Sequence, residues 1–210
     1  MKQLLYKIEH ENLILKKNTV IPYLLKSARD SFKEYLDIAD SPFYANSIFR
    51  YTRDQIPLYR KWMEGLRKFN GDADKAKEHG YVLAAKPGWS CHEVGSAVDN
   101  DSIPDNANDT NYTKNWQEKK YKLANYGWSG IRSEHWHIQH ITPFSNATDY
   151  IKSFITETLT DKDIWKKLSD LNYTDVKQFQ KDYGLITDGV VGVNTITQLI
   201  LLTKEIVFVD

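Results

Sequence analysis

Between Gly88 and Asp99 the chain reads GWSCHEVGSAVD, which sets a histidine and an aspartate seven residues apart with a glycine between them. No straight element lets those two side chains meet. In one α-helix His92 and Asp99 share a face but stand about 10 Å apart along the axis. In one strand they point to opposite faces, about 23 Å apart. If they act together the chain bends between them, and Gly95 is the residue best able to take up the bend. An imidazole and a carboxylate brought together serve a metal ion or a proton-transfer pair. A third partner is therefore expected elsewhere in the chain.

RSEHWHIQ supplies the candidates: Glu134, His135 and His137, with His140 following. Two histidines and one aspartate, with a position left for water, describe a catalytic zinc site rather than a closed structural one. Zinc lowers the pKa of a bound water to about 7, and Glu134 is then the general base that passes its proton to a leaving amine. Spacing alone does not choose between His135 and His137. On a regular strand those two share a face while Glu134 and His137 do not, so a Glu134–His137 partnership needs a twist or a strand end. Cys91, the one cysteine, excludes an intrachain disulfide and reads as a small buried residue. His10 and His79 lie in charged, helical-looking surroundings and read as solvated.

The 28 basic and 28 acidic residues of the 210 balance, so no field marks a nucleic-acid or anionic-membrane binder. The N-terminal MKQLLYKIEHENLILKK has no signal-peptide core, and no segment reaches the roughly 20 apolar residues of a membrane span. The product is expected to be made in the cytoplasm. The first third reads as helical; SPFYANSIFR is extended and becomes amphipathic from Thr52, a candidate cap. HGYVLAAKPGWSCHEVGSAVDND suggests strands and a loop, Asn100–Asn115 a long polar loop, NWQEKKYKLANYGW a helix ending near Gly127, and SEHWHIQHI a strand. A short helix follows near Tyr150–Thr156. Two amphipathic segments then flank GLITDGVVG, with Val176, Phe179, Tyr183, Ile196, Leu199 and Ile200 as their apolar faces. Mixed order without a repeated βαβ unit points to an α+β fold. The division expected is 1–147 and 148–210, with a linker at about 143–160.

The motifs reach a known family. SCHEVGSAVD fits S-x-H-x-x-G-x-A-x-D at every fixed position, and EHWH fits E-x-W-H. Together they resemble the zinc D-Ala-D-Ala carboxypeptidases and dipeptidases of the VanY and VanX type, which share a fold with Hedgehog signalling domains. AAKPGWSCHEVG, SIFRYTRDQIPLYRKW and NYGW are similar to the family's flanking segments, so the resemblance runs from Ser47 to Gln139. It implies a central antiparallel sheet flanked by helices, with Zn2+ held by His92, Asp99 and His137. It implies Glu134 as catalytic base and acid, and Arg50 steadying a substrate carbonyl or carboxylate. Gln55, Ser90 and Trp136 are implied to line the substrate cleft. Phe49 and Tyr51 depart from the family's usual Tyr and Ser, and the loop after Asn100 is long, so the exact peptide stays open.

DVKQFQKDYGLITDGVVGVNTITQLI resembles the peptidoglycan-binding repeat, which implies a small three-helix wall-binding domain carrying Phe179, Gln180, Asp188 and Gly189. Phe179 and Leu185 are expected to pack its core, while a dimerisation or docking bundle is the alternative. A peptidase beside a wall anchor gains local substrate concentration. The combination suggests a monomeric phage or prophage endolysin, made in the host cytoplasm and acting on peptidoglycan at the cell wall. Three readings compete: D-Ala-D-Ala carboxypeptidase or D,D-endopeptidase, which Trp136 supports; L-alanyl-D-glutamate endopeptidase, whose members carry Asp and Pro where this chain has Glu134 and Trp136; and a catalytically silent wall-binding module.

Overall fold

The computed structural model describes residues 1–100, 118–131 and 134–210. Helices and strands follow one another in mixed order, giving an α+β fold. The strands are β1 (Lys2–Lys7), β2 (Leu13–Leu15), β3 (Tyr23–Leu24), β4 (Phe43–Ser47), β5 (Ala97–Asn100), β6 (Trp128–Ile131), β7 (Glu134–His140) and β8 (Glu205–Val209). The helices are α1 (Lys26–Asp37), α2 (Thr52–Lys68), α3 (Ala73–Glu78), α4 (118–124), α5 (Ala147–Ser153), α6 (Asp161–Asp170), α7 (Val176–Asp182) and α8 (Val193–Leu202).

Several elements differ from the sequence expectation. The first third, which reads as helical apart from the extended SPFYANSIFR, contributes β1, β2 and β3 besides α1 and α2, with β4 in the extended stretch. In β1 burial alternates, with Gln3 and Leu5 inside and Lys2 and Leu4 outside, a period of two that adjacent leucines disguise in the sequence. The apolar run Tyr81–Ala85 forms no strand. Its groups serve singly instead: the Tyr81 ring lies where a Cβ at Gly65 would come within 2.5 Å of it, and the Ala85 carbonyl accepts from Gln55 Nε2 at 2.8 Å. Thr52 is the first helical residue of α2 rather than its cap, which is Tyr51. The polar loop expected after Asn100 lies outside the described residues.

The chain divides into two compact units, one of Gln3–Arg50, Cys91–Tyr150 and Ile206–Asp210, the other of Met1–Lys2, Tyr51–Ser90 and Ile151–Glu205. In the first, a five-stranded sheet runs in the order β2-β4-β5-β7-β6. Its pairs are antiparallel except β2 with β4, which run parallel. α1 covers one face. Phe32, Tyr35 and Leu36 from the helix meet Phe43, Ala45, Val98, Trp128 and Ile138 from the strands in one buried cluster. Phe32 sits edge-on to Phe43 with ring centroids 5.0 Å apart, and the Trp128 indole donates to Ser31 Oγ at 3.1 Å, so the buried ring keeps a polar partner. A smaller sheet has the order β3-β1-β8.

The second unit is mainly helical and draws on three separated stretches of sequence. α6, α7 and α8 enclose Ile164, Leu168, Val176, Phe179 and Leu199. α6 begins with a reciprocal Thr160–Asp163 capping box, which satisfies two of the free N–H groups at its start. Gln180 braces the α7–α8 loop from inside: its Nε2 donates to Asp188 Oδ1 and the Val190 carbonyl, each at 2.9 Å, while its Oε1 accepts from Gly189 N at 2.8 Å. Gly189 turns at a φ of +80°, where a side chain is strained.

Truncating fully buried Phe179 to alanine is expected to lower stability by about 3–5 kcal/mol in urea melts. Trp165→Ala, at a side chain 52% exposed, should change it by less than about 0.5 kcal/mol.

Candidate metal centre

The site occupies the sheet face opposite α1. Val98 and Ile138 face each other across β5 and β7 in the core under α1, so their neighbours Asp99 and His137, also directly opposed, point to the other side. Directly opposed residues bring their Cβ atoms to about 5 Å, close enough for a short and a long side chain to touch. Ser47 of β4 joins the same row. Ala45 pairs with Asn100, but the register slips before Ser47, which pairs with Asp99. That one-residue irregularity turns Ser47 from the α1 face to the site face.

His92 arrives from the turn preceding β5. The chain reverses between Cys91 and Ser96, with Gly95 at a φ of +68°, and Ser96 N donates to the Cys91 carbonyl at 2.9 Å. Space as well as backbone demands glycine there: a Cβ would stand 2.5 Å from Leu5 Cδ2 and 3.2 Å from Leu25 N. The bend folds His92 back over the row that it precedes. Its Nδ1 donates to the Ile48 carbonyl at 2.6 Å, while Arg50 N donates to the His92 carbonyl at 3.2 Å. The ring is thereby fixed with Nε2 aimed at the row.

Three atoms converge. His92 Nε2 is 3.1 Å from Asp99 Oδ1 and 3.2 Å from His137 Nδ1, and His137 Nδ1 is 2.9 Å from Asp99 Oδ1. Among the described residues, this is the group of acidic, imidazole and thiol side chains whose ligand atoms gather closely enough to hold a metal ion. Hydrogen bonds alone fit the triangle badly. With Nδ1–H given to Ile48, a neutral His92 offers a lone pair at Nε2, so its contact with the carboxylate sets acceptor against acceptor. A cation among the three satisfies every edge. Two imidazole nitrogens and one carboxylate oxygen are ligands suited to zinc, and the Ile48 carbonyl is the outer partner that orients a ligating histidine. The residues fit the ion.

Electrostatics agree with that fit. Burial works against a charge on Asp99, yet the facing His92 and His137 outweigh it and hold its carboxyl well below the usual carboxylate range. Arg50 Nη2 stands 3.9 Å from Asp99 Oδ2 and donates to Ser47 Oγ at 3.1 Å. A permanent positive charge therefore lies beside the triad without being a ligand.

Other sequence candidates fall as follows. Glu134 opens β7 and is half-buried. It pairs with Ile131, whereas Gly130 pairs with Ile138, so the strand is irregular between Glu134 and His137 and simple alternation does not apply there. Trp136 is half-buried on the same strand. Gln55 and Ser90, both buried, belong to the helical unit. Phe179 and Gln180 are core and loop brace, with 0% and 2% of their surface exposed, and Asp188 accepts from Val190 N at 2.8 Å. Burial pushes the Cys91 thiol up to about 11, as suits a small buried residue. His10 departs from its solvated reading: its side chain is 8% exposed and its Nε2 lies 2.9 Å from Asp37 Oδ1. Sequence reasoning missed two supports, Ser47 and the Ile48 carbonyl. Ser47 opens a quoted motif, but a backbone carbonyl leaves no trace in residue type.

No protein-family model and no curated protein matches the chain. Among solved structures it is similar to a variant of the vancomycin-resistance D,D-pentapeptidase VanY from a VanB-type cassette in complex with Zn(II). That alignment has 21% identity and a TM-score of 0.40, covering 70% of this chain and 85% of that one. The LdcB LD-carboxypeptidase aligns at 22% identity and a TM-score of 0.43 over 69% and 72% of the two chains. VanYB in complex with D-alanine-D-alanine aligns at 22% and 0.40 over 73% and 91%. At these levels, function has to be read from the chain's own site.

Asp99→Ala is expected to weaken zinc binding by more than about 100-fold, the upper end of what outer-shell changes cost, in competition with a chromogenic chelator. Gly95→Ala should destabilise the fold by at least about 1–2 kcal/mol from the left-handed backbone alone, read from urea melts, and lower zinc affinity with it.

Proposed function

We propose that the chain is a zinc-dependent peptidase of bacterial peptidoglycan. The observation that carries this reading is the convergence of His92 Nε2, Asp99 Oδ1 and His137 Nδ1 within 2.9–3.2 Å of one another, on residues of the double motif S-x-H-x-x-G-x-A-x-D and E-x-W-H. His92, Asp99 and His137 would hold the ion. Bound there, Zn2+ supplies Lewis-acid polarisation of a carbonyl and a water acidic enough to ionise near neutral pH.

The chain's own groups do the rest. The Glu134 carboxylate takes a proton from the attacking water and delivers it to the departing amine, two transfers that one carboxylate performs in sequence. Arg50, held by Ser47, pairs with the substrate carbonyl or terminal carboxylate through its permanent charge. Gln55, Ser90 and Trp136 contribute to substrate binding. The D-Ala-D-Ala bond of the stem peptide, or the D-Ala cross-link, is the favoured target, because Trp136 stands in E-x-W-H as in the carboxypeptidases. The α6–α8 bundle is the wall-binding element, and the setting is that of an endolysin made in the host cytoplasm and acting at the wall as a monomer. Among the described residues no helix is long and apolar enough to cross a membrane.

Purified peptidoglycan digested with the protein should release D-alanine or open D-Ala cross-links by mass spectrometry, and a zinc chelator should abolish the release. New D-glutamate amino termini would reassign the bond to the L-alanyl-D-glutamate class, and no cleavage of any wall type would remove the peptidase reading. Glu134→Ala is expected to lower turnover by at least about 100-fold, as loss of a general base does, with stoichiometric zinc retained by elemental analysis.

A further inference from the structure

The three residues that follow β4 carry two parts of the site. The Ile48 carbonyl accepts from His92 Nδ1 at 2.6 Å. Arg50 brings its guanidinium to Ser47 Oγ and to 3.9 Å from Asp99 Oδ2. Phe49 lies between them, and its side chain turns inward, 4% exposed. Its N–H donates to the Ile21 carbonyl at 3.1 Å, an antiparallel bridge outside the named strands. The same carbonyl accepts from Tyr23 N at 2.9 Å. β4 ends at Ser47, so the segment has left the sheet ladder where it reaches Phe49.

The Phe49 ring packs on a residue of β8. Phe208 meets it edge-on, with ring centroids 5.5 Å apart and planes at 83°. Tyr23 of β3 backs Phe208 in turn, at 4.5 Å between centroids and 54° between planes. Edge-on and tilted contacts are arrangements that aromatic rings favour. β3 and β8 flank β1 in the small sheet, and Tyr23 OH donates to Asp210 Oδ1 at 2.6 Å, a second tie between the two outer strands. Tyr23, Phe49 and Phe208 all belong to the sheet unit, which takes up the chain again at Ile206. Consecutive Cα atoms are about 3.8 Å apart. A shift of Phe49 therefore reaches Ile48 on one side and Arg50 on the other with no residue between to absorb it.

We propose that Phe208 is a positioning residue for the metal centre: through Phe49 it sets where the Ile48 carbonyl and the Arg50 guanidinium stand. This rests on the metal-site reading above. Phe208 falls outside the stretch that resembles the carboxypeptidases, which ends at Gln139, so β8 is site scaffold that no motif marks. Loss of the ring removes the surface on which Phe49 packs. The Ile48 carbonyl then holds the His92 ring less firmly, and a ligand with looser outer support binds its ion more weakly.

The test is Phe208→Ala in the full chain, with two readouts besides activity: hydrogen–deuterium exchange of peptides spanning residues 47–51, and zinc affinity by chelator competition. Exchange should rise in that segment while peptides of α1 and β7 keep their wild-type rates, and zinc affinity should fall by about tenfold, the scale of lost outer-shell support. Wild-type zinc affinity in Phe208→Ala, whether or not local exchange rises, overturns the proposal. So does a fall in affinity with faster exchange through α1 and β7 alike, which marks a general loosening of the fold. If that variant does not fold, Phe208→Leu keeps apolar bulk without the ring, and the same two readouts decide. A wild-type protein that takes up no zinc would instead refute the metal reading itself, a result seen before any variant is made.

Discussion

Two ring nitrogens and a carboxylate oxygen held 2.9–3.2 Å apart form a donor set that a cation among them would satisfy. With the His92 proton committed to the Ile48 carbonyl, a neutral triad has at most one N–H, on His137 Nδ1, for its three contacts. The fold invests heavily in holding them there. Antiparallel pairing of β5 with β7 delivers Asp99 and His137, a register slip in β4 brings Ser47 into their row, and the glycine-dependent turn at Gly95 returns His92 over it. Together these devices hold the donor set in place, as a metal site requires.

Arg50 puts a permanent positive charge beside the triad, 3.9 Å from Asp99 Oδ2. In the proposed reading it is the partner that an anionic or carbonyl-bearing substrate would meet, and one that never deprotonates. Ser47 holds that guanidinium and also lies 3.5 Å from the His92 ring, so one hydroxyl touches both side chains. Glu134, at the start of β7 where regular pairing with β6 is interrupted, is freed from the strict alternation that would otherwise separate it from His137.

Much of the site was legible because its constraints are local. H-x6-D with an intervening glycine demands a bend, and the bend is where it was expected. The third member of the cluster was not legible from spacing, because the choice between His135 and His137 depends on which residue of β7 stands opposite Asp99, a non-local matter of register. The N-terminal strands were missed for a similar reason: β1 and β8 are paired across nearly the whole length of the chain, and adjacent leucines in β1 mimic a helical face. The buried Gln198, which donates to the Pro87 carbonyl and accepts from the Trp89 indole, left no mark in the sequence either. A buried glutamine on an otherwise apolar helix face looks like a surface position until its two partners are seen.

The central claim is that one zinc ion sits on His92 Nε2, Asp99 and His137 Nδ1. Anomalous diffraction at the zinc edge from crystals grown with equimolar zinc tests it most directly. A single strong peak within ligand distance, about 2.0–2.2 Å, of those three atoms is the expected result. Zinc bound elsewhere, or a triad that stays empty while zinc fills another site, would contradict it.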